Sequence, residues 1–333
     1  MPGRVETSPT SETLVRRGVY LLTHPRSASN LFQTMLSKQP GFQNSSYKLF
    51  DPGFAALGQL ERGPLSQWPK EDREALYNAF NQGFEALQAE LEDARKNGNQ
   101  ALIKEHAILL SGPDKVFARI YSDDEVDPLV LHERNRPKLA HTNPTSLPDS
   151  LLLSMQPIFQ IRHPILMFPS MLRAQSKALG PSRPRDLINT ATMTLRQSRE
   201  LFDWYDTRGT DVRPKVIDAD DIMNDKEAVR KLCIETGLDP DAIQYEWEAR
   251  EEKDPLKAAF LSTLYASKGI LPGFSARGLD MDVEKSKWKA EFGEEDGDDL
   301  AILVMKAMPD YNYLWSRRTC SGREDRPHMD RPT

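Results

Sequence analysis

Apolar residues along the chain fall into two patterns. Short, mostly apolar runs occur at VYLLT (19–23), ALIKE (101–105), PIFQIR (157–162) and PKVIDA (214–219), with helical sequence between them. Such runs suit buried strands, and their alternation with helices predicts an α/β fold: a parallel sheet with crossover helices on both faces. The second pattern is a helical stripe. In PKEDREALYNAFNQGFEALQAELEDARKNG (69–98), Leu76, Phe80, Phe84, Leu87 and Leu91 recur at spacings of three and four, which predicts one long amphipathic helix. Pro69 suits its first turn, Arg95 and Lys96 its last, and Gly98 its C-cap. Residues 122–150 are rich in Asp, Pro and Asn and read as a long surface excursion between two strands. Residues 1–16 and 319–333 are polar, contain proline and lack a period, so they are expected to be flexible tails around a single domain, 17–318.

Composition narrows the classes. A chain of 333 residues, 38% hydrophobic and 28% charged, is expected to form a packed globular fold. A net charge of -6 argues against general nucleic-acid binding, so any anion site must be local. The two cysteines, Cys233 and Cys320, make no disulfide framework and have no metal spacing, which points to a reducing compartment. No segment has the length of a signal peptide or of the roughly 20 apolar residues that span a bilayer. A cytoplasmic protein with no membrane partner is the expectation.

The chemistry gathers at the strand ends. HPRSASN (24–30) follows the first strand and opens a helix. In a parallel sheet that position receives ligands, and the next helix offers free backbone N–H groups to an anion. Arg26 brings a fixed charge, Ser27, Ser29 and Asn30 bring short donors, and the small residues 27–29, Ala28 among them, let an oxyanion approach the backbone. The stretch lacks both framing glycines and the lysine of G-x-x-x-x-G-K-[ST], so it is not the ATPase loop. A second element is IFQIRHPILMFPSMLRA (158–174), where Arg162 closes a strand and Ser170 follows two helical turns later. The two could grip one phosphate from two sides.

Together these motifs resemble the sulfotransferases that use 3′-phosphoadenosine-5′-phosphosulfate (PAPS), a family with a P-loop NTPase-like fold. Pro25, Arg26, Ser27 and Ser29 match its 5′-phosphosulfate loop, and Arg162 with Ser170 matches its 3′-phosphate site. LIKEHAILLSGP (102–113) is similar to the strand that carries the catalytic histidine of the cytosolic branch, which puts Lys104 and His106 on those positions. SARGLDMDVEKSKWKAEFG (275–293) is similar to the C-terminal segment, so the resemblance implies that Arg277 and Gly278 touch the 3′-phosphate. It covers roughly residues 17–315 and implies PAPS as co-substrate. There are departures. Ala28 stands for the loop glycine, and Leu31, next to Phe32, for the aromatic residue that stacks on adenine. His163 stands for an acidic residue and Ala219 for a tyrosine.

Under this resemblance His106 is the base for the acceptor, Arg26 steadies the leaving nucleotide, and Lys104 holds the sulfuryl oxygens. Glu105 is the rival base, but strand alternation turns it to the other face from His106. No histidine cluster with metal spacing is present, so no metal is expected. The acceptor pocket is expected from residues 44–69 and 264–278, with Tyr47, Phe50, Phe54, Trp68 and Phe274 as an apolar lining for a small alcohol, phenol or amine. Two further classes stay open: a relative with diverged chemistry (elimination, cyclisation or a small-molecule kinase), and a silent nucleotide-binding protein.

Overall fold

The four apolar runs become neighbours in one sheet in the computed structural model, which describes residues 16–322 apart from 123, 135, 140, 209, 210, 252 and 254. The strands are β1 (Gly18–Thr23), β2 (Phe42–Ser46), β3 (Gln100–His106), β4 (Met155–Ile161) and β5 (Lys215–Asp218). They lie in the order β2-β3-β1-β4-β5, and every pair is parallel. β1 is central because it can be buried on both faces. Tyr20 and Leu22 join one core cluster, and Val19 and Leu21 join the other. Its approach to β3 is close: a Cβ on Gly18 would lie 1.8 Å from Ala101 O.

Helices cover both faces, as expected. Lys70–Lys96, Pro164–Leu179, Arg196–Thr207 and Glu294–Trp315 pack on the larger cluster, and Ser29–Met35 and Lys226–Thr236 on the smaller. The helix Lys70–Lys96 follows its predicted stripe: Leu76, Phe80, Phe84, Leu87 and Leu91 are all buried. Pro69 sits at its N-cap, Asn97 takes the C-cap, and Gly98 follows with φ 72°. The excursion 122–150 is less superficial than expected. Leu129, Leu131 and Leu147 are 4%, 0% and 0% exposed, so apolar anchors pin it to the core. The N-terminal tail 1–15 and the last residues 323–333 lie outside the described residues. Thr319, assigned to the C-terminal tail, is buried, and its N–H donates to Val216 O at 2.8 Å.

The connectivity places the site. β2 follows β1 in the chain but sits beyond β3, and the chain crosses β1 between β3 and β4. The sheet therefore changes direction at β1, where parallel sheets open a crevice beyond the strand ends. Thr23 is in register with His106 there, and Arg162 lies one residue past β4.

Candidate active site

Residues 24–28 form a tight loop between β1 and the helix Ser29–Met35, with Arg26 and Ala28 left-handed at φ 66° and 63°. Non-glycine residues rarely take that region, so neighbours must hold them there. Gln160 Nε2 donates to Ser27 O (2.6 Å), and Arg162 Nη1 donates to Arg26 O (3.0 Å). The Ser27 hydroxyl, expected to face an anion, instead donates to His24 O (2.7 Å) and becomes part of the frame. The loop is thus held from β4, by two residues near its end.

The two separately recognised motifs meet. Arg26 Nε donates to Ser170 Oγ at 3.0 Å, and Arg26 Nη1 to Phe260 O at 2.6 Å. Ser170 reaches this point because Pro164 opens its helix and the His163 side chain caps it, accepting from Ile165 N at 3.1 Å. Arg162 Nη2 donates to Phe274 O (3.3 Å), while its Nε is buried with no partner. From β3, Lys104 is fully buried and donates to Asn30 Oδ1, with its ammonium 4.4 Å from the centre of the Tyr47 ring.

Among the described residues no carboxylate forms an ion pair with Arg26, Lys104 or Arg162. Burial, with Arg162 nearby, pushes Arg26 down to about 10, and burial pushes Lys104 down to about 7. Only the through-space charge of Glu105 on Lys104, and of Asp220 and Asp218 on Arg162, offsets the cost of holding these cations in a low-dielectric site. An anion with several oxygens is the ligand such a cluster fits.

His106 is 4% exposed, and its Nδ1 lies 2.7 Å from Thr23 Oγ1. With the Thr23 hydroxyl assigned as donor to Glu105 O (3.1 Å), His106 Nδ1 carries the hydrogen between them. That leaves a lone pair on Nε2, which faces the Tyr47 hydroxyl at 2.9 Å. Burial, with the charge of Lys104 and His24, holds His106 well below its ordinary value, so the imidazole is neutral at pH 7. Glu105 points away, as strand alternation requires. Its Oε1 accepts from the Lys48 and Leu49 amides, and burial raises its carboxyl to about 7.

The remaining expected residues divide. Tyr47, Phe50 and Phe54 gather beside His106, with centroids 5.1 Å apart for Tyr47 and Phe50 and 5.7 Å for Phe50 and Phe54. Trp68, 5% exposed, packs edge-on against Phe117 in the core. Leu31 packs on the smaller core cluster, Phe32 is fully buried in it, and Ala219 is fully buried as well. Arg277 reaches Asp221 at 3.4 Å, beside Asp220, which accepts from Ser275 Oγ and Ala276 N at 2.8 Å. Gly278 follows with φ 77°. A cavity of about 420 Å³, lined by Arg250, Ser262 and Tyr265 among others, shares no lining residue with the His106 cluster. Among the described residues no group of three His, Cys, Asp or Glu could hold a metal, and no helix is long and apolar enough to cross a membrane.

Sequence reasoning missed Thr23, Tyr47's contact with His106, Gln160 and Phe260. Thr23 alone carried a signal, since it ends β1 where β3 brings in the histidine.

A parallel α/β sheet with a basic loop beside a neutral histidine at its switch point is the setting of an anion-binding α/β protein. Comparison with known proteins gives the family. No family model matches the chain. Sulfotransferase ppzF of Metarhizium majus is 32% identical over 328 residues, covering 90% of this chain and 96% of that protein. Sulfotransferase ppzF of Metarhizium rileyi is 32% identical over 333 residues, covering 91% and 96%. The chain belongs to the sulfotransferase family. Solved structures similar to it include the sulfotransferase domain from the curacin biosynthetic pathway, at 15% identity and TM-score 0.38, covering 84% of this chain and 98% of that one. Another is the sulfotransferase domain of the Synechococcus PCC 7002 olefin synthase, at 18% identity and TM-score 0.36, covering 84% and 96%.

Proposed function

We propose that the protein moves the sulfuryl group of PAPS to a hydroxyl or amine of a small organic acceptor, in the cytoplasm and without a metal ion. The observation that carries this reading is the set of cations, half-buried Arg26 and buried Lys104 and Arg162, that form no ion pair among the described residues beside a neutral His106. Arg26 and Ser170 hold the phosphate side of the donor, and Arg162, with its unpartnered Nε, supplies a further N–H. Lys104 neutralises the sulfuryl oxygens, and His106 takes the acceptor proton on Nε2. Phe50 and Phe54 form an apolar wall suited to a phenol or another small ring. Arg277 and Gly278, in the segment whose Phe274 O accepts from Arg162, complete the 3′-phosphate site in this reading.

Thermal unfolding with PAP, the desulfonated nucleotide, and with ATP tests the assignment. A ligand that binds only the native state raises the melting temperature by mass action. PAP should raise it in wild type, Arg162→Ala should remove most of the rise, and EDTA should change nothing. A rise with ATP and Mg²⁺ but none with millimolar PAP would assign a kinase. No rise with either would count against both nucleotide-using readings.

A further inference from the structure

We propose that the Tyr47 hydroxyl relays the acceptor's proton to His106 during transfer, an inference that rests on the sulfotransferase reading above. Tyr47 directly follows β2, and its N–H donates to Lys104 O at 2.9 Å. It takes a left-handed backbone, φ 47°, that a tyrosine adopts only when its surroundings demand it. Those surroundings are the Lys104 carbonyl and the Glu105 carboxylate, which accepts from the next two amides, Lys48 and Leu49. Two successive residues of β3 thus fix the tyrosine against the third, His106, with ring centroids 4.9 Å apart.

The hydroxyl lies where donor and base meet. It is 2.9 Å from His106 Nε2, and the Lys104 ammonium lies 4.4 Å from the centre of its ring. His106 is 4% exposed and Tyr47 half-buried, so an acceptor arriving along Phe50 and Phe54 meets the tyrosine before the histidine. Tyr47 cannot serve as a phenolate base by itself, because burial holds its phenol well above the ordinary value. The proton passes through it instead. The acceptor oxygen bonds to sulfur as the bond from sulfur to the bridging oxygen of the donor breaks, and that electron pair leaves with the nucleotide phosphate. The acceptor proton moves to Tyr47 Oη while the phenolic proton moves to His106 Nε2. The phenol is regenerated, and the imidazolium later releases its proton to water.

The test is single-turnover sulfuryl transfer from labelled PAPS by wild type and Tyr47→Phe, in mixtures of H₂O and D₂O. The probe acceptors are 2-naphthol and, in parallel, water. The expected result is a rate loss of roughly 10²-fold in Tyr47→Phe, the lower end for losing a positioned acid-base group, with PAP affinity unchanged. The proton inventory should pass from curved, with two protons in flight, to linear. Turnover as fast as wild type, or an equally curved inventory, would overturn the relay, as would a variant that melts early and loses PAP. Failure of wild type to transfer to either probe would overturn it together with the sulfotransferase reading, which separates the two failures.

Discussion

Glu105→Gln should leave the protein unchanged in acid and make it more stable above neutral pH. The glutamate is fully buried, its Oε1 accepts from the Lys48 and Leu49 amides, and its Oε2 has no partner. Burial raises the carboxyl from 4.5 to about 7, outweighing the two backbone hydrogen bonds and the charge of Lys104. A raised folded value means that the native state binds the proton more tightly than the unfolded chain. Its contribution is complete below the unfolded value of 4.5 and is lost as pH rises through about 7. Each tenfold change in proton affinity is worth about 1.4 kcal/mol, so the ionised side chain costs about 3 kcal/mol at alkaline pH. Glutamine keeps the shape and the carbonyl that receives the amides but cannot ionise. Denaturant unfolding of both proteins across the pH range should show a difference near zero at pH 4.5, growing toward about 3 kcal/mol in the variant's favour at about pH 8. A difference that does not depend on pH, or a variant weaker than wild type in alkali, would refute the reasoning.

Two further perturbations read the loop and the lysine. Ala28 is left-handed at φ 63°, a conformation that costs an L-residue about 1 kcal/mol, so Ala28→Gly should unfold at higher denaturant by roughly that amount; a lower midpoint would show that the alanine packs where no glycine can replace it. Burial lowers Lys104 to about 7, so affinity for PAPS, whose sulfuryl oxygens it holds, should fall as pH rises through that value, and Lys104→Met should both weaken PAPS binding and flatten that limb in calorimetry. The same slope in the variant would assign the titration elsewhere.

How much of this was legible in the chain depended on burial. β1, β3, β4 and β5 could be read because their residues face two cores and are apolar on both sides. β2, Phe42–Ser46, was missed: it is an edge strand, half-buried throughout, and FQNSS has neither an apolar run nor a clean alternation. The excursion 122–150 read as surface because its Asp, Pro and Asn outnumber the three leucines that anchor it. Arg26, Ser170 and Lys104 could be named because each motif carries a charge or hydroxyl at a fixed place after a strand. The Ser27 hydroxyl bonds inside its own loop, which looks the same in sequence as one that faces a ligand. The contact of Tyr47 with His106 joins residues 59 apart in the chain through a left-handed turn, and no local pattern announces it.

Sulfuryl transfer itself tests the central claim most directly. Wild type and His106→Ala would be incubated with labelled PAPS, EDTA and a panel of small phenols, alcohols and amines, and product and PAP would be quantified together. Wild type should give labelled product and PAP in equal amounts. His106→Ala should bind PAP normally and turn over roughly 10²- to 10⁴-fold more slowly. Intact PAPS with every acceptor, or equal turnover by the two proteins, would contradict the claim.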